Sequence, residues 1–522
     1  MSGILYTNLM SLDDGRFRAI MAQMKHRGPD ATGYLRHEHH WLGHNKLKIL
    51  ELDERSNQPF CSQDGRYAIV LDGVISNYLE LAQRHNIALQ AASVAEVVVE
   101  LFVQHGACFL SWLHGTFAIV ILDCEAGEVF AARDRLGVKP LYMCRNTGRL
   151  TLSSEIAPIL ELTGIVRFDE IGLRQYRKLR TFFNNRTLYE GIEMFPAGHY
   201  LQNGRLHRYW ELPTGEQGPP SDEELRQLIE DAVNQCLIPD VPVGSYLSGG
   251  LDSSIVAALS QVPHTWTTGF ADCNEFEWGR LVANHIGSAH HEILITPKEF
   301  LELAQQMIQR RREPLSVPNE VLIYKMTHEA KSHSSVLLSG EGADELFFGY
   351  DRIFRWAAGA RQWDLAEFAK LYSYGTHSDL EIVEDALAPF LPLKEPLAIV
   401  SHFFQVAHLH GLLRRLDNST MLCSVEARAP FVEQHPLIER MAGVPYDYRM
   451  QSGEIKAPLK RIFRDLIPTP VLQRKKVGFP VPLDRIPFQP TTNTSPMDRW
   501  LEFNLAVLGA DVETGHNKKV VL

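Results

Sequence analysis

Val243-Gly244-Ser245-Tyr246-Leu247-Ser248-Gly249-Gly250-Leu251-Asp252-Ser253-Ser254 is the stretch that decides how this chain folds. An apolar run with strand character, Val243–Leu247, empties into a Ser/Gly loop, and helical spacing begins after Ser253. The alternation continues downstream. Thr265–Phe270 reads as a strand, the region near Glu275–Ile286 as a helix and His291–Ile295 as a strand. Further on, the strand Val336–Ser339 runs into a second loop, Ser339-Gly340-Glu341-Gly342-Ala343-Asp344-Glu345-Leu346-Phe347. Strand and helix in alternation predict an α/β doubly wound parallel sheet with helices on both faces. Ligands of such sheets sit at the carboxyl ends of the strands, where both loops lie.

The first loop has the chemistry of an anion site. Two glycines let the backbone come close to a phosphate, successive N–H groups form a concave cradle, and a helix N-terminus adds its dipole. Serine hydroxyls supply further donors. Asp252 does not belong in a bare phosphate pocket, but it fits if it holds a Mg2+ that bridges phosphates. No lysine follows the glycines, so this is not the Gly-x-x-x-x-Gly-Lys-Ser/Thr loop. It resembles instead the pyrophosphate loop of enzymes that cleave ATP between the α and β phosphates and form an adenylate. In the second loop Glu341, Asp344 and Glu345 would repel one another unless cations gather there. Arg474-Lys475-Lys476-Val477-Gly478-Phe479-Pro480 clusters positive charge that could neutralise a leaving pyrophosphate or an oxyanion. The competing readings are a Ser/Gly turn, a solvated acidic loop and a surface basic patch.

Upstream, residues 1 to about 205 read as short strands with turns and a few helices. Arg66–Gly73, Gly115–Asp123, Glu128–Asp134 and Arg149–Glu155 are apolar or alternating runs bounded by Gly, Asp and Asn. Ser93–Gly106 carries Val94, Val97, Val98, Leu101 and Phe102 at helical spacing before a Gly stop. This half is therefore expected to be sheet-rich α+β. Leu212–Asp222 has linker composition, with Ser221 as the N-cap of a following helix. The expected domains are residues 1–210 and 220–490, followed by a polar, partly disordered tail over 491–522.

With 522 residues the chain is long enough for two or more domains with sizeable cores. A net charge of -11 argues against nonspecific nucleic-acid binding. The seven cysteines are scattered and form no CxxC pair, so neither a zinc knuckle nor a disulfide framework is indicated, and a reduced cytoplasmic setting is expected. Met1-Ser2-Gly3-Ile4-Leu5-Tyr6 does not start a signal peptide, and no apolar stretch is expected to reach the length of a membrane helix. The 22 histidines, including the His39-His40 and His290-His291 pairs, show no metal-ligand spacing.

Taken in order, Ser248–Ser254, Ser339–Glu345, Ser424-Val425-Glu426-Ala427-Arg428-Ala429-Pro430-Phe431 and the Lys476 region resemble the asparagine synthetases (class B, glutamine type). His26-Arg27-Gly28-Pro29-Asp30 and Arg133-Asp134-Arg135-Leu136-Gly137-Val138-Lys139-Pro140-Leu141-Tyr142 are similar to that family's N-terminal domain. The resemblance implies an α+β N-terminal nucleophile (Ntn) glutaminase-like domain joined to an adenylating domain of the PP-loop, adenine nucleotide alpha hydrolase-like kind. It implies ATP and Mg2+ as cofactors. Ser248, Gly250, Asp252 and Ser253 would bind pyrophosphate, Gly249, Ser254 and Gly340 would also belong to the cofactor site, and Leu247, Thr268 and Gly269 would lie near the adenosine. Asp252 and Asp344 would hold magnesium, Glu341 would serve attack of an amine on the acyl-adenylate, and Lys476 would stabilise the transition state. Glu426 and Arg428 could touch substrate or form an internal ion pair.

The N-terminal half departs from the family pattern. Ser2 stands where members that hydrolyse glutamine have cysteine; serine can itself be an N-terminal nucleophile, so this change alone decides nothing. The pocket changes weigh more. Lys46 replaces the arginine that pairs with the glutamine carboxylate, Asp72 and Val74 replace the asparagine and glutamate of Asn-Gly-Glu-Ile, and Val94 replaces an aspartate that meets the α-ammonium. Lysine keeps charge but loses the bidentate fork, and valine cannot pair with an ammonium. The same loss is seen in the β-lactam synthetases and lasso-peptide cyclases that resemble this family. The expectation is an ATP-dependent amide-forming ligase that activates a carboxylate without splitting glutamine. Open alternatives are a glutamine- or ammonia-dependent asparagine synthetase, an intramolecular lactam-forming cyclase, and a nonenzymatic nucleotide-binding regulator. β-Lactam synthetases have tyrosine where this chain has Glu341, which weighs against lactam closure. The expected partners are small-molecule or peptide carboxylates and amines, with a homodimer left open and neither nucleic acid nor membrane among them.

Overall fold

The computed structural model describes every residue except 1, 51–52, 147, 166, 238–239, 375–377, 489–493 and 511–522. Two compact units emerge. The first comprises residues 1–166, 185–211 and 421–426, the second residues 167–184, 212–420 and 427–522.

In the first unit, two six-stranded antiparallel sheets are present, and the apolar patterning explains their layering. One runs Ile192–Met194, Tyr142–Asn146, Arg149–Ser153, Ser2–Thr7, His40–Lys46, Ala31–His37. The other runs Arg205–Arg208, His199–Gln202, Glu128–Arg133, Gly115–Asp123, Tyr67–Ile75, Phe60–Cys61. Successive side chains of a strand point to opposite faces. In Gly115–Asp123 one set, Ala118, Val120 and Leu122, joins Ile4, Tyr6 and Leu42 of the first sheet in a shared core. The other set, Phe117, Ile119 and Ile121, packs on Val94, Val97, Val98 and Leu101 of the helix Val94–His105. Leu5 likewise turns to Phe17, Ile20 and Met21 of the helix Asp14–Gln23. The layers are thus helix, sheet, sheet, helix, and a strand buried on both faces must be apolar throughout.

Here one expectation fails. Val94–Trp112 is helical, long and apolar enough to cross a membrane by length and composition. Its apolar residues are spent on the core just described, and Ser93 caps its start by accepting from Glu96 N at 3.2 Å.

The motifs at the start of the chain build this unit from within. Arg133 donates to the carbonyls of Gly137, Lys139 and Phe195, each at 2.7 Å, and Asp134 accepts from Val138 N and Lys139 N. Glu426 faces Lys139 at 3.6 Å, both side chains being buried.

In the second unit a parallel sheet runs Ala289–Leu294, His264–Gly269, Val243–Tyr246, Val336–Leu338, Glu426–Arg428. The pairings of the first four strands are parallel. The chain leaves Val243–Tyr246 to one side for His264–Gly269 and later to the other for Val336–Leu338. The loop after Tyr246 therefore lies at the point where strand order reverses, which is where such sheets bind ligands. The linker is tied down: Gln217 N donates to Gly443 O at 2.9 Å, and Ser221 and Glu224 form a capping box at the head of Asp222–Cys236. Arg428 donates to Cys236 O at 3.1 Å and is buried.

The tail also departs from expectation. Pro496–Val507 is a helix, opened by a Ser495–Asp498 capping box, with Trp500, Leu501 and Leu505 fully buried at helical spacing. The polar run before Ser495 conceals this amphipathic segment. Residues 511–522 of the expected tail lie outside the described residues.

Candidate active site

The two loops close on a cleft of about 930 Å3 in the second unit. Gly249 sits at φ +69°, and a Cβ there would strike the Trp278 backbone; Gly342 sits at φ +94° against Val432. Both loops thus need glycine for conformation and for close approach. Leu247, Ser248, Gly250, Asp252, Ser253, Gly340, Glu341, Asp344 and Lys476 all line the cleft, as their sequence contexts imply. Ser253 heads the helix Leu251–Ser260, which begins earlier than its spacing suggests. Ser254 is turned inward, its Oγ donating to Gly250 O at 2.6 Å, so it braces the loop from behind.

Thr268 and Gly269, expected near an adenosine, are not among the residues that line the cleft. Thr268 Oγ1 donates to Ile293 O at 2.9 Å on the neighbouring strand, and Gly269 abuts Asn274. The apolar end of the cleft is made instead by Leu247, Trp266, Thr267, Ile323 and Met326.

At the polar end the structure adds residues that the motifs do not contain. Lys456 Nζ stands 2.5 Å from Asp252 Oδ2 and also contacts Asp344 Oδ1, which Lys476 Nζ reaches as well. Burial works against the charge of Asp344, yet the two ammoniums hold its carboxyl below the usual carboxylate range. Burial raises Asp252 despite Lys456. Asp252 Oδ1 is buried and has no hydrogen-bond partner. A free carboxylate oxygen of this kind, beside a second carboxylate, fits a hard divalent cation such as magnesium, which Asp252 and Asp344 would hold. Among the described residues no group of three or more His, Cys, Asp or Glu could hold a metal unaided.

Glu341 pairs with Arg415 Nη2, and Asn319 Oδ1 accepts from Arg415 Nη1 at 3.3 Å. Burial and the Asp344 charge push Glu345 up to about 8; it accepts from Tyr350 Oη at 2.6 Å. Tyr350 Oη and Tyr372 Oη flank His408 at 3.2 and 2.9 Å, and burial drives that imidazole down to about 3, keeping it neutral. His408, Leu412, Arg415 and Leu416 fall at helical spacing along Phe404–Met421, whose first turn, Phe404–His408, is a π-turn. That spacing was the available signal for Arg415; nothing around Lys456 announces its role. Arg474 donates to Gly249 O at 3.1 Å and pairs with Glu275 at 2.5 Å, so the basic run reaches the loop.

In the first unit Ser2, Lys46, Val74 and Val94 surround one cavity of only about 30 Å3, with His44, Gln58 and Leu71. Ser2 N donates to Asp72 Oδ1 at 2.7 Å. Lys46 Nζ is bound to Ser56 O and Oγ at 3.1 and 2.5 Å. The residues expected at a degenerate glutaminase site are therefore neighbours, in a space sized for water rather than for an amino acid.

The asparagine synthase family profile matches residues 224–502, and the glutamine amidotransferase domain profile matches residues 1–210. The chain is 27% identical to a glutamine-hydrolysing asparagine synthetase of Bacillus subtilis, covering 88% of this chain and 82% of that one. It is 28% identical to asparagine synthetase B of Escherichia coli, named as glutamine-hydrolysing, over 87% of this chain and 77% of that one. A putative glutamine-hydrolysing asparagine synthetase of Methanocaldococcus jannaschii is 31% identical over 63% of this chain and 71% of its own. With one profile spanning more than half of its length and relatives aligned along most of it, the chain belongs to the asparagine synthase family.

Proposed function

We propose that the protein is an ATP-dependent carbon–nitrogen ligase that adenylates a substrate carboxylate and passes the acyl group to an amine without hydrolysing glutamine. A carboxylate oxygen attacks the α-phosphorus of ATP and pyrophosphate leaves. The amine nitrogen then attacks the acyl carbon, AMP leaves, and a proton is lost from nitrogen. Ser248, Gly250 and Ser253 carry the phosphates, and Lys476 meets charge developing on the departing groups. Glu341, held by Arg415, orients the amine and receives its proton. Magnesium, held by Asp252 and Asp344, would supply charge neutralisation of the phosphates. None of the described cysteines is in a disulfide, which agrees with a reduced cytoplasmic setting.

The observation that carries the glutamine-independent part is the 30 Å3 cavity at Ser2, where Lys46 is already tied to Ser56 and Val94 stands where an ammonium needs an acid. Wild-type protein incubated with glutamine is expected to release no glutamate above background, and Ser2→Cys is expected not to change this. Glutamate formed by either protein in step with AMP would overturn the reading.

A second reading, asparagine formation from aspartate with ammonia or glutamine, is favoured by Glu341 and by the names of the relatives. Mass spectrometry of products from aspartate, ATP and ammonium separates the two.

A further inference from the structure

Three histidines from separate segments of the second unit gather near the amino ends of its parallel strands. His264 opens the strand His264–Gly269, His291 lies on Ala289–Leu294, and His333 follows the helix Asn319–Ala330 on the way into Val336–Leu338. Alternate residues of a strand share a face, so His264 lies beside Trp266, and Trp266 is the register partner of His291. The indole stacks on the His291 ring at 5.2 Å and 14°. Gly244 on the next strand makes room for it, since a Cβ there would come within 2.3 Å of the Trp266 ring. The backbone of His333 is fixed by its N–H, which donates to Ala330 O at 2.9 Å.

The spacing of the three imidazoles is that of a chelate. Tetrahedral zinc, bound about 2.0–2.1 Å from each nitrogen, sets donor nitrogens about 3.3 Å apart and ring centres about 5 Å apart. His264 Nδ1 and His291 Nε2 face each other at 3.0 Å. The ring centres are 5.3 Å apart for His264 and His291, 4.9 Å for His264 and His333, and 5.1 Å for His291 and His333. Among the described residues no acidic side chain pairs with any of the three, so the two facing nitrogens have only each other. The third donor is turned away: His333 Nδ1 is engaged with Ser332 Oγ at 2.8 Å, and no three donors among the described residues converge as they stand. Ser332 and His333 are both exposed, so this ring can turn about its own side-chain bonds while the backbone stays in place.

We propose that His264, His291 and His333 form a binding site for a zinc-class divalent transition metal, with water in the fourth position. His264 and His291 supply a preformed pair, and His333 closes on the ion. Imidazole nitrogen is the donor such ions take, whereas magnesium takes oxygen, so the site is chemically distinct from the Asp252–Asp344 pair. It stands apart from the ligase reading and would survive its failure. Trp266 belongs to both places, stacking on His291 and lining the cleft, so the ion braces one wall of the cleft.

The test is calorimetric titration of the chelator-stripped, full-length protein with Zn2+, in excess Mg2+ and without nucleotide. Wild type takes up Zn2+ with a Kd at or below about 1 μM. His333→Asn, a change at an exposed position that spares the fold, weakens binding at least about tenfold, and His264→Gln weakens it about a hundredfold or more. His105→Gln, which breaks the His85–His105 pair of the first unit, leaves that affinity unchanged. Co2+ in place of Zn2+ gives the strong visible absorption of a four-coordinate ion in wild type and not in His333→Asn. Uptake only in the millimolar range, equal affinity in wild type and His333→Asn, loss of binding in His105→Gln instead, or a weak six-coordinate Co2+ spectrum would each overturn the proposal.

Discussion

Asp252→Ala lowers ATP–pyrophosphate exchange by about 10^3-fold or more, the scale of losing a preorganised electrostatic group at a reacting phosphate. Two effects combine. The variant loses the free Oδ1 that suits a metal ion, and it leaves Lys456 with Asp344 alone. Lys456 is buried, and the attraction of the two carboxylates outweighs that burial to hold its ammonium above its ordinary value. With one carboxylate gone, the ammonium is drawn wholly onto Asp344, taking the second oxygen set that a metal would need. Asp252→Asn keeps shape and removes only charge, so exchange falls similarly while the fold is spared. Exchange in Asp252→Ala within tenfold of wild type would show that the metal and phosphates are held elsewhere.

Glu341→Gln separates the two half-reactions. The carboxylate pairs with Arg415 and lies outside the loop residues proposed to carry phosphate, so adenylation and exchange persist within a few-fold. Amide formation falls by about 10^2- to 10^4-fold, the usual worth of a positioned base. Single-turnover quench with labelled ATP reads both: AMP-bound acyl intermediate accumulates while product does not. Equal loss of both steps would place Glu341 in the nucleotide site instead.

What the sequence made legible follows from how local each feature is. Strand, Ser/Gly loop and helix at 243–260 form one continuous signal, since the residues proposed to cradle phosphate are consecutive. Ser221 and Ser93 announce their helices through side chains that reach only three residues on. Thr267 lines the cleft and Thr268 does not, because the pleat sends neighbours to opposite faces and the motif does not say which face meets the cleft. Lys456 and Arg415 come from distant segments. A cation on a helix reads as solvated until the fold closes over it, and no spacing within its own segment reveals the carboxylate it will meet. The tail helix was hidden by the polar residues in front of it, although Pro496, Asp498 and the Trp500–Leu501–Leu505 spacing were present.

The path of the chain crosses between the two units more than once. Residues 167–184 precede the linker in sequence but fold with the second unit, and residues 421–426 return to the first. Tyr176 donates to Leu315 O at 2.7 Å, and Arg174 clasps Asp379 at 2.9 Å, within the ligase body. A deletion ending near residue 211 would carry away one of that body's own helices. The two bodies are stitched by the thread rather than strung on it, so neither can be cut from the chain at one point without taking residues of the other.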